Sequence, residues 1–486
     1  MVPIIITIAY FGFLSIFFGL KAKKKISDGK QFFTAAGQMG WFAVMCTFTL
    51  SPLGGGHTTS LWQMQAGMGV SVAWWGILSG GIFVPIFMLW FGPMFRKLKV
   101  QTFPQALGKV FGPKIKIINT SIAPAGWLGI TMSETLGIAT AIYCLSGGRL
   151  QFAPHCVLIA AVLIVIYIWF GGMLQAGYMN IVNAVVLIVG SYIAVGYVGT
   201  WLPGGYDSVA QTYAAAGEAW RTNLFDFSPG AVFGVIIPCL LLCVFSVSSE
   251  HAMYQPMLGA KSSKEIRKGT LLSGLINSMA AVPFVILGMT GTSIAAIAAK
   301  EPLLSVPELA LQALPPVLIG VLMVALLCAL LSTASGMVLS IAHVVSEDII
   351  EPLQKVKLSG KKQIWMGRIL VLVVTLAAAL PALKVSLIMP LFFWCFSLSL
   401  PIFINYLIGM VWKINRKAAW INLIASLAVN CWWTFALPAW CPPTFNFSFY
   451  PVFVTTVVLG VVLNLILPGE KSMLRQIKEQ EKAALS

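Results

Sequence analysis

Charge is scarce in this chain. Only 9% of its 486 residues are Asp, Glu, Lys or Arg, against 58% that are apolar, and a soluble globule of ordinary surface carries about a quarter charged residues. That excludes a water-facing domain as the main body. Paired cysteines are missing too: nine cysteines stand singly with no CxxC, so neither a disulfide framework nor a thiolate metal centre is indicated. The four histidines, His57, His155, His251 and His343, are widely separated in sequence and form no HExxH, which removes the usual signature of a membrane metalloenzyme. Long polar stretches are also absent. The longest loop, Leu202 to Pro229, and the end from Pro468 to Ser486 are too short to hold a folded domain. The chain therefore reads as one membrane domain, residues 1–467, with a short tail, 468–486, and no enzyme activity.

What is present is a series of apolar runs. A span needs about 20 residues to cross roughly 30 Å of hydrocarbon, and such runs fall at 3–20, 41–66, 70–95, 117–146, 153–170, 178–201, 230–249, 270–299, 316–344, 364–383, 386–412, 418–437 and 450–467. The fold class is thus an all-α polytopic membrane protein with about 13 spans. Basic residues in short loops stay on the cytoplasmic side. With the N-terminus outside, 27 of the 31 Lys and Arg fall inside and only Arg149, Arg221, Lys300 and Lys384 fall outside. An even number of spans would destroy that asymmetry. The expected location is the cell (inner) membrane, with the C-terminus cytoplasmic. The first span lacks the basic leading region of a cleavable signal, and its lysines follow it. The net charge of +16 fits loops that face anionic membrane lipid, and no interleaving of basic and aromatic residues points to nucleic acid.

One run is interrupted. "TLSPLGGGHTTS", residues 49–60, sits inside Trp41 to Ala66, and Pro with three glycines removes backbone hydrogen bonds at a depth where only protein or a wet cavity can cover the freed groups. Broken spans of this kind mark ion and solute sites in transporters built from inverted repeats, although small residues also serve close helix packing. Five spans later, "GVIIPCLLLCVFSVSS" carries Pro238 as the expected partner break. "CALLSTASGMVLS" places Ala329, Ser332 and Thr333 at i, i+3 and i+4 on one helix face. Two hydroxyls and a carbonyl there can offer oxygen to a hard cation, or the hydroxyls can bond to their own helix.

The chain resembles the sodium/solute symporter family from about Gly19 to about Trp412. The resemblance is carried in order by "KKKISDGKQFFTAAGQMGW", "GGGHTTSLWQMQAGMG", "VQTFPQALGKVFGPKIK", "WFGGMLQAGYMNIVNAV", "YQPMLGAKSSKEIRKGTLLSGL" and "LLSTASGMVLSIAHVVSEDII". It implies a leucine-transporter-type fold: a 5+5 inverted-repeat core, repeat one at about 41–201 and repeat two at about 228–412, with one helix before and two after. It also implies inward solute transport on the sodium gradient by alternating access. By motif, the Na+ ligands fall on the carbonyl of Ala329, the hydroxyls of Ser332 and Thr333, and carbonyls near Phe48 and Ser51. Two positions depart from the family pattern. Met179-Asn180 stands where many members have an acid and Gln38 where they have Arg, which favours coupling to one sodium while leaving proton coupling through another residue open.

Family resemblance does not choose the solute. Candidate lining residues near the two breaks and on the third and tenth core helices are His57, Trp62, Trp127, Glu134, Ser246, Ser248, Phe393 and Trp394. Glu134 reads as the only acid well inside a span. Intramembrane carboxyls are functional candidates by default, and with aromatics nearby it gives a weak preference for an amine-bearing or zwitterionic solute. The alternatives are a proton-coupled or carboxylate or other-solute symporter of the same fold, or a passive channel. A sensory receptor on this scaffold would need a signalling domain for which the tail has no room. The expected partners are the solute, sodium and membrane lipid, with the chain working as a monomer.

Overall fold

The structure is a computed structural model. It describes residues 1–354, 358–384, 388–437, 441–442 and 445–483, with the side chains at 243 and 388–392 outside the description. Part of the expected Lys355 to Lys362 loop therefore lies outside the described residues.

Apolar composition and helical backbone satisfaction coincide here, since a chain in lipid must bond its own backbone groups internally. Among the described residues, eleven helices are long and apolar enough to cross a membrane, and Trp41–Leu50 and Phe152–Ile168 are shorter apolar helices. The expected thirteen is reached only if the shorter two are counted as crossings, and that number stays an expectation. Two helices form the axis of the bundle. Pro113–Leu145 and the helical stretch Pro316–Leu353, which contains Pro316–Val344, each have 83% of their apolar window inside the protein, whereas Val2–Lys23 and Phe449–Ile466 have 28%. The first pair is protein-surrounded and the second pair faces lipid on most sides. Pro113–Leu145 runs 33 residues, about 50 Å at 1.5 Å per residue, longer than the roughly 30 Å of a hydrocarbon core.

The first break lies where the sequence places it. Trp41–Leu50 ends, the chain passes through Gly55–His57, and helix resumes over Thr59–Met68. Pro52 has no N–H to give the carbonyl of Phe48, the carbonyl of Thr49 accepts from Asn277 Nδ2 at 2.8 Å, and those of Leu50 and Ser51 face Thr333. Gly54 is required by proximity, because a Cβ there would collide with the carboxyl of Glu134.

The second break is not at Pro238. The backbone of Pro238 is helical (φ −53°, ψ −43°) between the π-helical turns Val232–Ile236 and Cys239–Ser246. The wider register on either side accommodates the missing donor. The chain leaves the helix eleven to twelve residues later, after Val247–Ser249, with Glu250 extended (φ −72°, ψ 126°) before His251–Gly259 begins.

The two broken helices are tied together at the end of the bundle that carries most Lys and Arg. Met39 N donates to Gly259 O at 2.8 Å and Lys261 N donates to Met39 O at 2.9 Å. The Trp41 amide donates to the Glu265 carboxylate, and Lys268 Nζ stands 3.8 Å above the Trp41 ring. The Gly171-Gly172 turn is also conformationally required. Gly172 has φ +53° and packs on the carbonyl of Phe32, where a Cβ has no room. At the same end, Lys413–Ile414 pairs antiparallel with Glu470–Lys471, and Lys413 Nζ donates to the carbonyls of Asn464 (3.0 Å) and Leu467 (2.8 Å), closing the last turn of Phe449–Ile466.

Candidate ion and solute site

The broken helices face the two axial helices around a small central cavity. It is lined by Ser51, Pro52, Gly54, Gly56 and His57 from the first break, Val247 and Glu250 from the second, Ile130 and Glu134 from Pro113–Leu145, and Thr333 and Met337 from Pro316–Val344, with Trp75 and Phe396 completing the wall. Its volume is about 20 Å³. A single water needs roughly 10–15 Å³ of such space, so the cavity fits one water or one bare cation and excludes a solute of sugar or amino-acid size.

Oxygen converges at one side of it. Thr333 Oγ1 lies 2.9 Å from the carbonyl of Leu50, 3.1 Å from that of Ser51 and 3.3 Å from that of Ala329. Ser332 Oγ is buried and makes no hydrogen bond among the described residues, although its carbonyl accepts from Ser335 at 2.9 Å. A buried hydroxyl without a partner is uncommon. Carbonyls freed by a helix break beside two hydroxyls form the all-oxygen donor set that a hard cation takes. Ser51, Ala329 and Thr333 thus meet, with Ser332 on the same turn. Leu50 was not anticipated. The reason is local: the turn after Leu50 aims the last two carbonyls of the half-helix, not the one at Phe48, at Thr333.

The acids occupy a different wall. Both oxygens of Glu134 lie 2.8 Å from the amide nitrogen of Gly55, so this carboxyl supports the backbone of the break. Glu134 is not the only deeply placed acid. Glu250 is 2% exposed and lines the same cavity, which corrects the sequence reading. Ser-Ser-Glu-His reads as the end of an apolar run, yet it is the break itself. His57 lines the cavity and its Nε2 bonds Ser79 Oγ.

The remaining candidates lie apart from the cavity lining. Trp62 is buried against Phe284, with ring centroids 6.4 Å apart, and Trp127 is buried. Ser246 Oγ donates to Phe396 O at 2.8 Å. Ser248 is buried, and its carbonyl accepts from Tyr254 at 2.7 Å. Phe393 packs on Trp75 and Phe447 and, with Trp394, lines a separate pocket beside Trp433 and Asn446. Asn180 stands in a neutral network: Tyr167 OH donates to Asn180 Oδ1 at 2.8 Å, Asn183 Nδ2 to Tyr167 OH at 2.7 Å, and Tyr10 OH to Asn183 Oδ1 at 2.8 Å. Among the described residues no group of three or more His, Cys, Asp or Glu could hold a metal.

A family model described as "Sodium:solute symporter family" matches residues 32–425. The sodium/myo-inositol cotransporter 2 of Rattus norvegicus is 24% identical over 473 residues, covering 88% of this chain and 69% of that protein. The sodium/glucose cotransporter 1 of Oryctolagus cuniculus is 22% identical over 449 residues, covering 82% and 66%. Among solved structures, a substrate-bound, outward-open Na+-coupled sialic acid symporter superposes with a TM-score of 0.78 at 16% identity, covering 97% of this chain and 99% of that one. MhsT in complex with L-phenylalanine gives 0.54 at 15% identity, covering 88% and 99%. The fold is of the leucine-transporter type.

Proposed function

The chain belongs to the sodium:solute symporter family, a family of multi-pass membrane carriers with Na+ as the co-transported ion, and from that premise we propose that it imports a small organic solute by alternating access around the central cavity. The observation that carries this reading is the meeting of Thr333 Oγ1 with the carbonyls of Leu50, Ser51 and Ala329 across the first break. Sodium bound there joins one half of a broken helix to an axial helix, so its arrival and departure bias which end of the bundle opens. The ligands would be the carbonyls of Ala329 and Ser51, with Leu50 or Phe48, and the hydroxyls of Ser332 and Thr333. The repeats run over about 41–201 and 228–412, the N-terminus is outside the cell membrane, the tail is cytoplasmic, and a monomer suffices.

For the solute we favour an amine-bearing or zwitterionic molecule. The lining holds two carboxyls, Glu134 and Glu250, and no lysine or arginine. We assign the counter-charge to Glu250, the lining carboxyl from the second break, and Trp75 and Phe396 offer ring faces to a substituted ammonium. The same charge pattern opposes a carboxylate solute. A second reading, a polyol or sugar, is favoured by the relatives that are named as myo-inositol and glucose cotransporters. The test is uptake into proteoliposomes under sodium, potassium and proton gradients, with labelled myo-inositol, glucose, choline and a neutral amino acid compared. Uptake of any one that requires inward sodium supports the carrier reading. Gradient-independent flux of all four would establish a passive channel.

A further inference from the structure

Two of the four histidines touch each other inside the bundle. His251 opens the helix after the second break and His343 lies in the last turn of Pro316–Val344, 92 positions away, with His251 Nε2 2.9 Å from His343 Nδ1. Both side chains are fully buried. The two outer nitrogens, His251 Nδ1 and His343 Nε2, make no hydrogen bond among the described residues. The outer nitrogen of each ring is thereby left open to exchange a proton with a water or a carboxyl. The pair also has direction. His251 follows Glu250, which lines the central cavity, and His343 Nε2 is 4.0 Å from Glu347 Oε1, a partly exposed carboxylate at the basic end of the bundle. Met337 on the cavity wall and Glu347 are ten residues apart along one helical stretch, about 15 Å, with His343 between them in sequence and His251 in contact with it.

We propose that His251 and His343 form a two-imidazole proton relay between the central cavity and Glu347, through which the carrier exchanges protons with the cytoplasm. The proposal takes from the function above only which end is cytoplasmic. An imidazole accepts a proton on one nitrogen and releases one from the other. In the inward-to-cavity direction, a proton leaves the Glu347 carboxyl and an N–H bond forms at His343 Nε2. The N–H of His343 Nδ1 then breaks as one forms at His251 Nε2, and His251 Nδ1 gives up its proton to a water or carboxyl of the cavity. Each ring gains one proton at Nε2 and loses one from Nδ1, so both end as the Nε2–H tautomer, and a further proton passes only after each ring has regained a proton at Nδ1 and released the one at Nε2. The groups that face the pair suit transit. Phe33 stacks on His343 with centroids 5.0 Å apart, which keeps water and lipid from that face. The charged group recorded beside the pair is Glu347, whose Oε1 lies 4.0 Å from His343 Nε2. Below the pair the seam is neutral: Ser340 Oγ donates to Gln255 Oε1 at 2.9 Å and Gln255 Nε2 to Phe33 O at 3.1 Å. Arg96 is committed to the carbonyls of Met257 and Ala260, and Tyr254 OH to Ser248 O.

The experiment uses the full chain in proteoliposomes with a trapped pH dye, an imposed inward proton gradient and a clamped membrane potential. Wild type should admit protons faster than protein-free vesicles. His251→Gln and His343→Gln, which keep a hydrogen-bonding side chain but have no second basic nitrogen, should each slow entry roughly tenfold or more. Sodium binding, read in the same preparations by tryptophan fluorescence, should persist in both, so loss of sodium binding in wild type would count against the carrier reading and not against the relay. If either glutamine variant does not fold, Glu347→Gln leaves the pair packed and must itself slow proton entry. Wild-type vesicles no more permeable to protons than empty ones, or unchanged entry in the folded variants, would overturn the relay.

Discussion

Both oxygens of the Glu134 carboxyl rest on a single backbone donor, the amide of Gly55, at 2.8 Å each. A helix that restarts in mid-membrane exposes unbonded N–H groups, and a carboxyl supplied by the neighbouring axial helix is the strongest acceptor for one of them. The approach is possible only because residue 54 has no side chain. Proline, glycines and acid therefore act as one unit: Pro52 removes a donor, Gly54 makes room, and Glu134 covers the amide that follows.

That unit predicts a graded response. Glu134→Gln retains a carbonyl oxygen for Gly55 and should leave the melting temperature nearly unchanged. Glu134→Ala strands a buried amide and should cost about 1–3 kcal/mol. Gly54→Ala should destabilise more than Glu134→Ala, and the double substitution should be less harmful than the sum, because the added methyl then occupies the vacated carboxyl position. Thermal unfolding of the four proteins in detergent decides it, and strict additivity would refute the steric coupling.

At the proposed ion site, Thr333→Ala removes the hydroxyl that meets the carbonyls of Leu50, Ser51 and Ala329, and Ser332→Ala removes one with no hydrogen-bond partner among the described residues. Each should raise the sodium concentration for half-maximal uptake severalfold, a loss on the order of 1–3 kcal/mol per ligand, with expression retained. The single substitutions differ in a second respect. Thr333→Ala also removes the hydrogen bond to the Leu50 carbonyl and should lower thermal stability, whereas Ser332→Ala should not. Unchanged sodium dependence in both would remove these residues from the site.

Much of this site is legible in the sequence because it depends on short-range rules. Pro52 with three glycines cannot continue a helix, and Ala329, Ser332 and Thr333 must share a face whatever surrounds them. The second break is illegible for a matching reason. Pro238, the visible signal, is absorbed by a π-helical register, while the true break at Ser248 to His251 is polar enough that an apolar run appears to end there. Glu250 was lost with it. Which aromatic ring faces the cavity depends on helix rotation, set by packing between distant segments. Phe396 lines it and Phe393, three residues earlier, packs on Trp75 outside the lining, a distinction that periodicity within one helix cannot make. The pairing of His251 with His343 joins two helices 92 residues apart and has no local trace.

Topology is open to a direct check. The distribution of Lys and Arg requires a cysteine placed at Lys361 to react with an impermeant maleimide only from the cytoplasm and one at Asp207 only from outside, in a background where the exposed Cys431 and half-exposed Cys441 are replaced. Asp207 lies in the first turn of the Tyr206–Ala215 helix, so its label also reports that this segment stands clear of the membrane. The reverse pattern would refute the outside placement of the N-terminus, and labelling of both positions from one side would refute the odd number of spans between them.

The assignment of the counter-charge rests on Glu250. It is buried in the second break and lines the cavity together with Glu134. A desolvated carboxylate is costly unless a cation answers it, and sodium beside Thr333 or the ammonium group of a solute can do so. The two possibilities separate experimentally. If Glu250 answers the solute, Glu250→Gln should abolish or sharply weaken binding of an amine-bearing solute by at least roughly tenfold, the scale of one lost charge-assisted contact, and leave sodium affinity intact. If it answers the ion, sodium affinity should fall while solute binding at saturating sodium survives. Isothermal titration of solute at saturating sodium, paired with sodium titration in the absence of solute, measures both, and an unchanged solute affinity in Glu250→Gln would end the amine reading and leave the polyol reading in its place.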